Sequence, residues 1–387
     1  MRKIYLDHNA TTPTDPQVLE AMLPYYKDAF GNASSIHEVG RIARKGIDEA
    51  RVKAASLLGA KDADEIVFTG SGTEADNFAV KGAADALKSK GNHIITSSIE
   101  HHAILSTVKF LEKNGCKATY LPVDKFGLVD RNALKKAITD KTILVSIMYA
   151  NNEMGTIQAV KELASVAKER GVLFHTDAVQ AAGKLPIDVS ELGVDMLSVS
   201  AHKIYGPKGV GALYVKKGVK LTPLLHGGYH EKNRRAGTEN VAGIVGFGKA
   251  AELAAKNMNK DIIYIKSLRD RLQKGILNSI KYTYINGHPE NRLCNTVNIS
   301  FEYLEGESII LNLDMEGVGV STGSACTSGS LEPSHVLTAM GIDAVKTQGS
   351  IRFSLGKGNT REDIDYVVKV LPPIIERLRK MSPLYKG

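Results

Sequence analysis

The chain has 387 residues, 43% of them hydrophobic and 24% charged, a composition suited to a soluble globular protein of two or three domains. The net charge is +8, from 50 basic and 42 acidic residues, and these are interspersed, without the basic run or interleaved aromatics of a nucleic-acid binder. The excess reads as solubility and as attraction to an acidic partner; with no long uncharged apolar run, neither nucleic acid nor membrane is an expected partner.

Between about residues 16 and 260, apolar strands alternate with amphipathic helices. This is the pattern of a mostly parallel sheet covered on both faces. Strands are predicted at 65–69, 93–97, 117–121, 143–149, 172–175, 196–200 and 211–215. A charged helical stretch follows, from 261 to about 280. Then come a strand at 295–301, a helix at 308–316, a loop at 321–331, a strand at 350–354 and a closing helix at 361–380. That second part, 261–387, reads as a smaller α+β domain. No internal repeat or low-complexity linker interrupts the chain.

Three motifs carry chemistry. After the first strand, Gly70-Ser71-Gly72-Thr73 turns into a helix. Glycines admit a phosphate to the backbone, and a helix N-terminus offers free N–H groups and a positive dipole end. Gly70, Gly72 and Ala75 also match the dinucleotide pattern G-x-G-x-x-A, a weak signal taken alone. Next, Asp177 ends the strand in Phe174-His175-Thr176-Asp177, at the sheet edge where open α/β folds bind ligands. A carboxylate there can face the pyridine nitrogen of pyridoxal phosphate (PLP), or simply cap a helix. Finally, Ser200-Ala201-His202-Lys203 places a lysine just past a buried strand. A partly desolvated lysine can attack a carbonyl, and a Schiff base to PLP is the commonest use of one.

Further strings join these: Tyr5-Leu6-Asp7-His8-Asn9-Ala10-Thr11-Thr12, Glu100-His101-His102, Ala150-Asn151-Asn152-Glu153-Met154-Gly155, Arg235-Ala236-Gly237-Thr238-Glu239-Asn240 and Gly323-Ser324-Ala325-Cys326-Thr327-Ser328-Gly329. With them, essentially the whole chain resembles the cysteine desulfurases of the NifS/IscS type. The short cysteine loop, continuing to Leu331-Glu332-Pro333-Ser334-His335, resembles the branch that delivers sulfur to iron–sulfur scaffolds.

The resemblance implies a PLP-dependent, aspartate-aminotransferase-like α/β fold: a large PLP-binding domain at 16–260, and a small domain of 1–15 and 261–387 carrying the cysteine loop. It implies a homodimer with active sites at the interface. Lys203 would carry PLP and move the substrate α-proton. Gly72 and Thr73 would cradle the phosphate, with Ser200 and His202 near it and Thr238 reaching the neighbouring subunit's phosphate. Asp177 would face the ring nitrogen, Gln180 the phenolic oxygen, and His101 would stack on the ring and assist proton transfer. Asn152 and Arg352 would hold the substrate carboxylate. Arg352 sits in an alternating strand, and taken alone it reads equally well as a surface arginine.

Cys326 is the expected nucleophile, taking sulfur from L-cysteine as a persulfide and leaving L-alanine. Its glycine- and serine-rich surroundings lack an apolar period, whereas Cys116 and Cys294 read as buried structural thiols. An odd number of cysteines without Cys-x-x-Cys spacing supports neither disulfides nor zinc. His230-Glu231-Lys232-Asn233-Arg234 lacks the second histidine of a zinc helix. No resident metal is expected; Cys326 is the residue to ligate an iron–sulfur cluster in transfer. The N-terminus shows no apolar signal region, and a reducing cytoplasm fits. The expected acceptor is an iron–sulfur scaffold or another sulfur carrier. Tyr229 departs from the resemblance, standing where a third glycine is usual after Gly227-Gly228. Rival readings are a selenocysteine lyase or an aminotransferase on the same scaffold, a NAD-dependent dehydrogenase using Gly70 to Ala75, and a docking platform without turnover.

Overall fold

The computed structural model describes residues 3–322 and 333–385. Among these, seven strands form one sheet in the order Ile66–Thr69, Gly211–Val215, Met196–Ser200, Leu173–Asp177, Thr142–Ser146, His93–Ser97, Lys117–Leu121. Gly211–Val215 runs antiparallel to both neighbours, and the other pairings are parallel. Most of these strands are buried along their whole length, as expected of a sheet covered by helices on both faces. The predicted strands lie within a few residues of the observed ones. The run predicted at 143–149 overshoots, because the Met148 N–H leaves the ladder for the Glu100 carboxyl, at 3.0 Å.

The strand order reverses between His93–Ser97 and Thr142–Ser146: the chain first steps outward to Lys117–Leu121, then returns to the other side. Such a switch point opens a crevice at the carboxyl ends of the strands. His101 and Asn152 follow these two strands, and Asp177 and Ser200 end the next two. The register Thr69↔Gly211 and Ser200↔Gly211 brings the Gly70-Ser71-Gly72-Thr73 turn to the same edge.

Ser350–Ser354, Thr296–Phe301 and Thr283–Asn286 form a smaller antiparallel sheet. Its core includes Leu272, Ile299, Phe301, Leu313, Phe353 and Leu371, together with Leu6 from the N-terminal segment. That segment joins through Ile4–Tyr5, paired in parallel with Val318–Gly319. The helix expected from 261 starts at Val241: it is one rod, Val241–Ser279. The glycine-rich run Val241-Ala242-Gly243-Ile244-Val245-Gly246 hides its start, while the onset of charge near 260 imitates one. Its first half packs on the large sheet's core, through Phe247 and Ala251, and its second half in the smaller core, through Ile265 and Leu272. No helix among the described residues is long and apolar enough to cross a membrane.

Candidate active site

One cavity at the carboxyl edge of the large sheet is lined by Lys203, Asp177, His101, Gln180, Asn152 and Gly72. Thr73, Ser200 and His202 also border it. Strand Met196–Ser200 ends in a single tight turn, Ala201–Lys203, which puts the lysine at the sheet edge. Its Nζ donates to the carbonyl oxygens of Asn9 at 2.5 Å and Ala10 at 2.7 Å. The N-terminal segment therefore crosses the lysine. It is held there by Thr12, whose N–H and hydroxyl both donate to the His202 carbonyl oxygen.

Asp177 is buried, and its Oδ1 accepts the Val179 N–H at 2.8 Å. Burial pushes its carboxyl up to about 6, against the lowering effects of that N–H and of the Lys203 charge. The Gln180 amide N–H donates to Asn9 O at 2.9 Å. Half-buried Lys184 donates to the Gln180 main-chain oxygen at 3.0 Å, and its amine is pushed down to about 8 by burial.

Helix Gly72–Ala86 is capped by Ser71, whose hydroxyl accepts the Glu74 N–H. A Cβ on Gly72 would lie 2.8 Å from Val179 Cγ2 and 3.2 Å from Ser200 Cβ, so only glycine lets the helix start this close to the strand end. His101 caps the next helix, its Nδ1 accepting the Ala103 N–H at 3.1 Å. Burial, then the neighbouring Lys203 charge, push His101 down to about 4, so its ring is neutral near pH 7. His202 is likewise pushed down to about 4, chiefly by burial.

Arg352 is buried: Nη1 donates to Asn152 O at 3.1 Å and Nη2 to Asp7 Oδ1 at 2.7 Å. It stands against Asn152 and thus beside the cavity. Thr238 does not reach the Lys203 cavity of its own chain. It is exposed and lines a different cavity with Gly70, Gly237 and Arg235, whose guanidinium pairs with Glu74. Tyr229 is exposed and precedes three left-handed residues, Glu231, Lys232 and Asn233. Buried Glu231 holds that turn by pairing with both Arg51 amines and accepting the Phe68 N–H. Cys326 lies outside the described residues.

The residues present fit pyridoxal phosphate. A helix N-terminus that only glycine can bring to the strand end, an amine, a buried carboxylate and a neutral imidazole converge on one cavity. The motif reading assigns no role to several residues that build this site. Asn9 joins both sheets: its amide donates to Asn152 O and Thr296 Oγ1, and its oxygens accept from Lys203, Gln180 and Asn295. Glu100, fully buried, accepts the Ser97 hydroxyl at 2.5 Å and the Met148 N–H, and burial pushes it up to about 8. Asn9 and Glu100 both lie inside the longer sequence motifs, and that position was the available signal. Asp76, buried on the first helix, lines the cavity too; a lone acid on an apolar helix face was its only mark.

The family model described as aminotransferase class-V matches residues 4–367. A curated relative from Dictyoglomus turgidum, named cysteine desulfurase IscS, is 58% identical over 99% of this chain and 97% of its own length. A solved structure of a NifS-like protein aligns with a TM-score of 0.92 at 41% identity, over 97% of this chain and all of that one. Another, of SspA in complex with cysteine, aligns with a TM-score of 0.82 at 38% identity, over 92% of this chain and all of that one.

Proposed function

The chain belongs to the aminotransferase class-V family and within it to the PLP-dependent cysteine desulfurases, and from that premise we propose which residues perform the reaction and where its sulfur goes. The observation that carries the assignment is the convergence of Lys203, Asp177, His101 and Gly72 on one cavity. Bound there, PLP supplies an electron sink for the substrate carbon next to the amine. Lys203 is the group that holds the cofactor and takes the α-proton. As a free amine it is held at the cavity edge by donation to two carbonyl oxygens. Asp177 supplies the negative charge that keeps a ring nitrogen protonated, and the Val179 N–H fixes its orientation. Neutral His101 can accept a proton or stack, and the Gln180 amide offers an N–H to a phenolic oxygen. Gly72 and Thr73 present the helix N-terminus to the phosphate, flanked by Ser200 and His202. Arg352 and Asn152 take the substrate carboxylate.

The substrate is L-cysteine; cysteine is also the molecule in complex with SspA in the solved relative. The Cys326 thiolate attacks the substrate sulfur. The Cβ–S bond breaks and its electrons stay with the carbon skeleton, which gains a proton and leaves as L-alanine. Sulfur remains as a persulfide on Cys326 and passes to an iron–sulfur scaffold or another acceptor thiol. The other two thiols are poor candidates. Burial raises both above the ordinary thiol range, and Cys294 is closed off from solvent. A nucleophilic thiol must stay reduced, which favours the cytoplasm. The homodimer reading is supported by Phe30, Ile36 and Tyr229, apolar side chains 71%, 91% and 88% exposed. It is also supported by Thr238, which lies apart from its own chain's Lys203 cavity.

The test is purified protein given L-cysteine. Wild type should form alanine and carry a persulfide on Cys326, while Cys326→Ser should keep the cofactor's colour and form almost no alanine. Undiminished alanine from Cys326→Ser, or a persulfide on Cys116 or Cys294, would overturn the assignment.

A further inference from the structure

Two carboxyls line the cavity from below. Asp177 ends strand Leu173–Asp177, and Asp76 projects from helix Gly72–Ala86; they are 7% and 1% exposed. Neighbouring carboxylates in a water-poor space do not both ionise without a large cost, so their partners decide which one keeps the charge.

Those partners differ. Asp177 accepts a main-chain N–H at 2.8 Å and feels the Lys203 ammonium. Asp76 has a hydrogen bond with the Ser198 hydroxyl, while its Oδ1, fully enclosed, has no hydrogen-bond partner among the described residues. His175 Nε2 is 3.7 Å from that oxygen, but both His175 nitrogens are engaged, with Ser198 Oγ and Ser146 Oγ, each at 2.9 Å. The titratable groups that bear on Asp76 are carboxyls, Asp177 first and then Glu100, and none is a cation; the imidazole beside it is kept neutral by complete burial.

We propose that Asp76 is a positioning residue that stays protonated, so that the negative charge under the cavity sits on Asp177 alone. The inference rests on the reading that Asp177 faces the cofactor's ring nitrogen. Protonated Asp76 donates to Ser198 Oγ, Ser198 donates to His175 Nε2, and His175 Nδ1–H donates to Ser146 Oγ. In that direction the Asp76 acid proton has an acceptor in Ser198 Oγ, and the His175 proton sits on Nδ1. An ionised Asp76 would instead push a proton onto Asp177, which could then no longer hold a protonated nitrogen against it. Burial first, and then the Asp177 charge, raise the Asp76 carboxyl and outweigh the lowering effect of the Ser198 hydrogen bond.

The experiment is isotope-edited infrared spectroscopy of the holoenzyme at pH 8, with aspartate labelled at its side-chain carboxyl. Glutamic acid bands, including that of Glu100, cancel in the difference between labelled and unlabelled protein. Wild type should show an aspartic-acid carbonyl band that vanishes in Asp76→Asn and persists in Asp177→Asn. Because an amide replaces a neutral acid, Asp76→Asn should keep cofactor affinity and the cofactor's absorbance titration within about twofold of wild type. No such band in wild type, or its survival in Asp76→Asn, overturns the proposal. If Asp76→Asn does not fold, Asp76→Ser replaces it with the same two outcomes. Failure of borohydride to fix the cofactor to Lys203 is a separate result that rejects the underlying site reading, whatever the infrared band shows.

Discussion

Arg352 and Asp7, 345 positions apart, form a partly buried ion pair of 2.7 Å that fastens the N-terminal segment to the smaller sheet beside the cavity. The guanidinium is oriented before substrate arrives. Nη1 rests on Asn152 O, while Nε is enclosed without a hydrogen-bond partner among the described residues. A lysine would keep the charge and lose the planar fork. Arg352→Lys is expected to raise KM for L-cysteine about tenfold to a hundredfold, as for one lost hydrogen bond to a charged group. The cofactor spectrum should stay intact. An unchanged KM would remove Arg352 from the substrate site.

Glu100 gives the protein a pH signature. Folded, its carboxyl holds a proton up to about pH 8, whereas its ordinary value is 4.5. The folded state therefore binds more protons between those limits. The contribution of Glu100 to stability is complete below pH 4.5 and is lost as pH rises towards 8. Glu100→Gln removes that dependence and leaves an acceptor for the Met148 N–H. Between pH 5 and 7.5, the stability difference between wild type and variant should move against wild type by roughly 2–3 kcal/mol, read from urea melts. A pH-independent difference would mean that Glu100 is ionised in the fold.

Gly72→Ala places a methyl 2.8 Å from Val179 Cγ2 and 3.2 Å from Ser200 Cβ. The helix start must move off the strand end, at a cost of about 1–3 kcal/mol for the overpacked contact. Weaker PLP retention is expected, with the folded secondary structure kept; circular dichroism and equilibrium dialysis of the cofactor measure the two. Normal retention would detach the phosphate from this helix.

Thr238 can be assigned to its own site or its neighbour's by mixing subunits. In a heterodimer of Lys203→Ala with Thr238→Val, action across the interface gathers both defects into one site. The other site is then wild type at both positions, and its PLP occupancy should be normal. If Thr238 serves its own chain, neither site is intact, and purified heterodimers will contain no fully normal site.

What could be read from the sequence follows from how local each feature is. Lys203 and Asp177 stand out because a buried strand followed by small or polar residues is visible within a dozen positions. The strands of the large sheet were legible for the same reason, from apolar runs bounded by turns. The Arg352–Asp7 pair and the hydrogen bonds centred on Asn9 were not, since they join segments hundreds of positions apart. Asp76 was also invisible: an acid on a helix is ordinarily a solvated one, and only its burial makes it unusual.

Helix Val241–Ser279 also bears on how the molecule can move. At 1.5 Å per residue its 39 residues span roughly 58 Å, and the rod contains no proline. A Cβ on Gly248 would come within 2.5 Å of Ala50 Cα, so one end is clamped against helix Glu38–Leu58; Leu272 and Ile276 are sunk in the smaller core at the other end. A beam fixed at both ends transmits torque and resists folding at its middle. Any rotation of one sheet relative to the other must flex the beam elastically, so strain applied at the smaller sheet is returned to the large one as a restoring force.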